Sequence, residues 1–137
     1  MMLFSNILKP DDIADVFMKN IKIEYVSSIR FLGVIMDDKL KFNIHIKEVS
    51  KKISKNLGVL YKLKDFVPSN TLLTVYRSII ESYINYCNLI FGNAAITHLT
   101  PLVTAQKKAV RIVAKKPPLS HTNPIFFDLK LLKLTDL

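Results

Sequence analysis

Tryptophan is absent from the 137 residues of this chain, and cysteine occurs once, at Cys87. A lone cysteine cannot close an internal disulfide, so the chain is expected inside the cell, in the nucleus or cytoplasm. Cys87 lies in an apolar stretch, the usual setting of a small core residue rather than a nucleophile. Glycine is scarce too: three residues, widely separated, make no phosphate-cradling loop. The histidines His45, His98 and His121 are far apart and have no metal-ligand spacing with Cys87, which argues against a zinc site. Long apolar runs are missing as well. The greasiest region, Leu72 to Ile96, is broken by Arg77, Glu81, Asn85, Asn88 and Asn93, whereas a spanning helix needs about 20 apolar residues in a row. Met1 to Lys9 has no basic segment followed by an apolar stretch and a small-residue cleavage site, so no export signal is expected.

Acidic residues are also in deficit, 11 against 20 Lys and Arg, for a net charge of +9. Half of the chain is hydrophobic, enough for a core, and the length suits one ordinary domain. The charge is uneven. Residues 1–45 hold six basic and six acidic residues, and residues 46–137 hold fourteen basic and five acidic. A neutral front part is thus joined to a strongly basic remainder, and such a surplus points to an anionic partner, nucleic acid or a membrane surface.

The front part reads as β structure. Ile21, Ile23 and Tyr25 alternate with Lys22 and Glu24, and Phe31 to Met36 is a nearly continuous apolar run. With Ser27-Ser28 as a turn, these predict a hairpin. Pro10-Asp11-Asp12 predicts a short helical turn ahead of it. From residue 43 the period becomes helical. Asn43 is a candidate N-cap, and Ile46, Val49, Ile53, Leu57 and Leu60 mark the inner face of a helix running to about Lys64. Pro68-Ser69 restarts the chain. Leu72, Leu73, Val75, Tyr76, Ile79, Ile80, Tyr83 and Ile84 predict a second helix, apolar on more than one side and so the central one, stopping near Gly92-Asn93. Thr100-Pro101 is a start signature for a third, with Leu102, Ala105, Ala109, Ile112 and Val113 inward. Pro117-Pro118 ends it, and Asn123-Pro124 opens a short fourth. The fold class is α+β, mainly α: an N-terminal β-hairpin followed by a three- to four-helix bundle.

The basic residues fall into stripes. At about 100° per residue, Lys47, Lys51, Lys55 and Lys62 share one side of the first helix, opposite Ile53 and Leu57. Lys107, Lys108, Arg111 and Lys115 share one side of the third, opposite Ala105 and Ala109. Such rows can follow a phosphate backbone without reading bases. The bland alternative is the solvated polar face of any amphipathic helix, but solubility alone does not select one sign of charge. A membrane surface also attracts basic amphipathic helices; the absence of Trp anchors and the need of the apolar faces for mutual packing disfavour it.

Asp37-Asp38, following a strand, has the form of a Mg²⁺-clamping carboxylate pair. The alternative is a strand end entering a turn, where Asp is favoured.

Phe31-Leu32-Gly33-Val34, then Asp38, Leu40, Phe42 and His45-Ile46, resembles the reverse transcriptases of non-LTR (LINE-type, jockey-like) retrotransposons. The resemblance continues through Leu72, Tyr76, Ser78, Ile80, Tyr83, Tyr86-Cys87-Asn88 and Phe91-Gly92-Asn93. It extends to Gln106 through Ile112, His121 through Pro124, and Leu129 through Leu137. Phe91 departs from the family's usual Trp, conservatively for packing. In the family the catalytic aspartates precede the Phe/Tyr-Leu-Gly motif, so the resemblance makes Asp38 a post-hairpin residue and removes the metal-binding reading. It implies a residual palm edge and primer-grip hairpin over 1–42, with Met1 to Ser5 as the last palm strand, a thumb-like helical bundle over 43–116, and the start of a post-thumb segment over 117–137. Phe31, Leu32 and Gly33 would position the primer, Gly33 allowing close backbone approach. The helices would hold an RNA–DNA or DNA duplex by shape and backbone. The implied partners are that duplex and the remainder of the polymerase, with no membrane. The parent enzyme is an RNA-directed DNA polymerase using Mg²⁺. This chain looks truncated at both ends, holds no cofactor and no catalytic residue, and is not expected to polymerise alone. The rivals are a non-enzymatic domesticated nucleic-acid-binding or adaptor protein, and an inert relic.

Overall fold

The computed structural model describes residues 1–4, 14–86, 88 and 94–136. The expected turn at Pro10-Asp12, the helix stop at Gly92-Asn93, and the placement of Cys87 and Phe91 lie outside the described residues. The chain divides into two units, Met1–His45 and Ile46–Leu137.

The first unit holds two small antiparallel hairpins. β1 (Phe17–Met18) pairs with β2 (Ile21–Lys22), and β3 (Ser28–Phe31) pairs with β4 (Val34–Asp37). The expected hairpin exists, but its turn and its strands are different. Ser28 already lies in β3, and the apolar run Phe31 to Met36 is not one strand: the chain reverses inside it, at Leu32-Gly33, with Phe31 opposite Val34. The reason is conformational. Leu32 and Gly33 have φ of 46° and 82°, and positive φ at both central residues is the combination whose twist matches the flanking strands. Lys19 and Asn20, at 48° and 61°, do the same between β1 and β2. Met1–Phe4 form no strand. Val26 donates its N–H to the Met1 carbonyl (3.0 Å) and the terminal ammonium donates to the Glu24 carbonyl.

Asp37 organises the exit from β4. Its carboxylate accepts the backbone N–H groups of Lys39, Lys41 and Phe42 at 3.2, 3.0 and 2.6 Å. These charge-assisted bonds fix a loop in which Leu40 and Phe42 both take positive φ. Helix α1 (Asn43–Leu63) then begins. Asn43 is its first residue rather than its cap, and its buried Oδ1 accepts no hydrogen bond from any described residue.

In the second unit, the inward stripe of α1 is as expected at Ile46, Val49, Ile53 and Leu60, which are buried, while Leu57 is only half-buried. Next come α2 (Ser69–Tyr76), a π-helical turn (Arg77–Glu81) and α3 (Ser82–Asn85), in direct succession. Leu72, Tyr76, Ile80 and Ile84 are fully buried, spaced by four residues each. In a regular α-helix each such step overshoots a full turn by about 40°, so four positions would drift off one stripe. The widened turn takes up that drift. The Asn56 side chain of α1 donates to the Ile79 carbonyl inside it, a side chain entering the helical ladder. This helical run is buried on one stripe only, with Tyr83 37% exposed, so the central place expected for it belongs instead to α4 (Ile96–Val113). Leu99, Leu102, Ala105, Gln106, Ala109, Val110 and Val113 of α4 are buried, and it packs on α2, on α5 (Thr122–Asp128) and on a 3₁₀ turn (Leu134–Asp136). α4 also starts a turn before the expected Thr100-Pro101. The Thr100 hydroxyl donates to the Ile96 carbonyl (2.9 Å), and Pro101 sits exposed inside the helix, past its first turn, where its ring removes one i→i−4 bond.

Both α4 and α5 end in the same way. Lys115 is left-handed (φ 53°), with Lys116 N–H on the Arg111 carbonyl (2.9 Å) and Lys115 N–H on the Ile112 carbonyl (3.0 Å). Lys130 is left-handed (φ 52°), with Leu131 N–H on the Phe126 carbonyl (2.9 Å) and Lys130 N–H on the Phe127 carbonyl (3.1 Å). Both are Schellman closures with lysine where glycine is usual. After the second, Leu131 and Leu134 turn inward and meet the side chain of Gln106, only 2% exposed. Its amide nitrogen donates to the Leu132 carbonyl (2.9 Å) and the Tyr76 hydroxyl (3.3 Å), and its oxygen accepts the Leu134 N–H (2.9 Å).

Gln106→Leu should keep the volume but orphan the Leu134 N–H, costing about 1–3 kcal/mol. Chemical denaturation reads the loss, and amide exchange at Leu134 should rise with it. Burial pushes the Tyr76 hydroxyl up to about 12 from 10.0, against the lowering effect of Gln106 and with a further rise from the Glu81 charge. Between those pH values the unfolded chain releases a proton that the folded chain keeps. Stability attributable to Tyr76 is therefore complete below pH 10 and falls towards pH 12, by about 1.4 kcal/mol per unit. Tyr76→Phe should flatten the high-pH side of the stability curve relative to the parent chain; parallel curves would refute the assignment.

Candidate nucleic-acid interface

Two surfaces carry the residues singled out in the sequence, one in each unit. In the first, Phe31, Leu32 and Gly33 form the tip of the β3–β4 hairpin. Phe31 is 58% and Leu32 73% exposed. A branched apolar side chain gains nothing by burial there, and left-handed backbone disfavours it. Local preference and solvation both reject leucine at this turn, the kind of conflict found where a residue is kept for contact with something else.

In the second unit, Lys47, Lys51, Lys55 and Lys62 are all exposed along α1, and Lys107 and Lys108 along α4; Lys115, expected on the same helix, is exposed in the left-handed closure just past its end. None of these seven is in an ion pair with another described residue. Lys52, one position off the α1 stripe, is the one that pairs with Glu48 (3.4 Å), and it also lies 5.5 Å from the Tyr83 ring. Arg111 differs from its neighbours: it is half-buried, and its Nε donates to the Ser120 carbonyl (2.9 Å), tying α4 to the segment that follows it. The α1 row offers ammonium groups at helical repeat to a polyanion, and the second set, Lys107, Lys108 and Lys115, offers them on α4 and just past its end with no acid interposed.

Beyond those rows, the C-terminal ends of α1 and α4 enclose a groove of about 560 Å³. Lys64, Lys108, Arg111, Lys115 and Lys116 line it against one acid, Asp65, together with Tyr61 and Pro117-Pro118. Its residues come from two distant stretches of sequence, so no local pattern announces it. The nearest signal is the end of both basic stripes at helix C-termini.

Asp37-Asp38 does not fit a Mg²⁺ centre. The Asp37 oxygens are committed to three backbone N–H groups, and no cluster of three or more His, Cys, Asp or Glu able to hold a metal occurs among the described residues. His45 is structural: buried, with Nδ1 accepting the Ile35 N–H (3.3 Å). No helix among the described residues is long and apolar enough to cross a membrane.

An α+β chain, mainly helical, with a β-hairpin ahead of helices that carry basic rows, is what the resemblance to retrotransposon reverse transcriptases led one to expect. Comparison with known proteins bears that resemblance out. The chain is 29% identical over 119 residues to the RNA-directed DNA polymerase from mobile element jockey of Drosophila melanogaster, covering 83% of this chain and 13% of that protein. It is 26% identical over 137 residues to the jockey polymerase of Drosophila funebris, covering 97% and 15%. It is 24% identical over 125 residues to the probable RNA-directed DNA polymerase from transposon X-element of Drosophila melanogaster, covering 88% and 14%. The chain therefore spans about one seventh of the length of the relatives it matches. No protein-family model and no solved structure matches it.

Leu32→Asn would place Asn-Gly in the turn, the preferred pair for positive φ at both positions. It should stabilise the β3–β4 hairpin by about 1 kcal/mol. Slower amide exchange in β3 and β4 is the expected reading, and faster exchange would contradict the geometry.

Proposed function

We propose that this chain is the part of a non-LTR retrotransposon reverse transcriptase that holds the template–primer duplex, through a primer-grip hairpin at Phe31-Leu32-Gly33 and a thumb-like set of helices. The observation that carries the reading is the pair of exposed, acid-poor rows on α1 and α4 in a chain similar to RNA-directed DNA polymerases over most of its length. In this reading the ammonium groups follow phosphates on an RNA–DNA or DNA duplex without reading sequence. The hairpin tip meets the primer strand, which accounts for a strained, exposed leucine beside a glycine. The remainder of the polymerase is the other partner. Phosphoryl transfer, with its Mg²⁺, is assigned to carboxylates of that remainder, and this chain contributes binding rather than chemistry.

Fluorescence anisotropy with a blunt RNA–DNA hybrid at several salt concentrations tests this. The logarithm of affinity should fall linearly with the logarithm of salt, with a slope of about −0.7 to −0.9 per phosphate neutralised. Replacing Lys47, Lys51 and Lys55 by Glu should weaken binding by about tenfold or more and make the slope shallower by roughly two to three. Binding that ignores salt, or a triple variant with unchanged affinity, would refute the proposal.

A further inference from the structure

We infer that the groove between the C-terminal ends of α1 and α4 takes an unpaired nucleotide of the bound strand, stacking its base and holding its phosphate. The inference rests on the reading of the chain as a duplex holder and adds a second mode of contact. A volume of about 560 Å³ is that of a small-molecule site, room for one or two nucleotides and far too little for a double helix. Its chemistry is of two kinds. Tyr61, 59% exposed, and the flat rings of Pro117 and Pro118 offer faces to a base, and every base has a π face to offer in return. Lys64, Lys108, Lys115 and Lys116 offer charge to a phosphate, and the Arg111 guanidinium is held in the wall by its bond to the Ser120 carbonyl. Lys64 lies over one face of the Tyr61 ring, 4.2 Å from its centre, so a base would stack on the other face with that charge beside it. That pairing is what single-strand binding sites use.

The ordinary role of cations at helix C-termini is to offset the dipole. It does not account for this cluster. At the end of α4 the Arg111 and Ile112 carbonyls are already taken by the N–H groups of Lys116 and Lys115, which leaves the ammonium groups unneeded as caps. Five basic residues face one acid, Asp65, and none of the four lysines forms an ion pair among the described residues.

The test compares two probes on the full 137-residue chain at one salt concentration: a blunt RNA–DNA hybrid, and the same hybrid with a short unpaired extension. The extension should raise affinity about tenfold, one stacked base being worth about that much. Tyr61→Ala should abolish the gain and leave the blunt hybrid bound as before, and Tyr61→Phe should keep it. Equal affinity for the two probes would overturn the inference while leaving the backbone reading intact, since the blunt hybrid tests that separately. Loss of the gain in Tyr61→Phe, or equal weakening of both probes by Tyr61→Ala, would overturn it as well.

Discussion

The Gln106 carboxamide is buried among apolar side chains, where a polar group without partners costs about 1–3 kcal/mol. Its partners come from two parts of the helical unit: the Tyr76 hydroxyl on α2, and the Leu132 carbonyl and Leu134 N–H of the segment after α5. A hydrophobic contact can slide, but an amide with its partners on opposite sides cannot. The segment after α5 is therefore held against α4 in one register, and Leu131 and Leu134 are buried in that register. Residues 117–136 thereby pack into the same unit as the helices before them. The Asp37 carboxylate has the corresponding place in the first unit. By gathering the N–H groups of Lys39, Lys41 and Phe42, it sets the path of the chain between β4 and the start of α1.

Much of this was legible residue by residue, and the failures have physical causes. The inner stripe of α1 follows from Ile46, Val49, Ile53 and Leu60 alone, because a long amphipathic helix repeats its signal many times. The β3–β4 turn hid because Leu-Gly is not a pair that announces a turn and because apolar residues flank it on both sides. An isolated glycine within a strand pattern was its one trace. Gln106 hid for the opposite reason: beside Lys107 and Lys108 it reads as one more solvated residue, and nothing local shows that the chain's end returns to it. Thr100-Pro101 misled because α4 starts at Ile96 and runs on through the proline, giving up one backbone bond. The lysine rows were legible as rows; the groove at their ends was not, since Tyr61 and Lys115 meet only in three dimensions.

Charge and architecture divide at the same place. Residues 1–45 carry equal numbers of acidic and basic residues and the surplus lies after them, while the structural units part between His45 and Ile46. Both units expose large apolar groups, Phe17, Met18, Ile21, Phe31 and Leu32 in the first and Phe66, Leu119 and Phe127 in the second; the surplus of basic residues belongs to the second alone.

The widened turn at Arg77–Glu81 has a consequence for chain length. Leu72, Tyr76, Ile80 and Ile84 point inward because the π turn absorbs the excess of a strict four-residue repeat. Removing one residue between Tyr76 and Ile80 would leave spacings of four, three and four, which an unbroken α-helix places on one face within about 60°. The same four side chains would then enter the core from ordinary helix. Chains with and without that residue can share one interior, so a single-residue insertion here alters the outer face of the helix and the reach of the Asn56 bond, and little else.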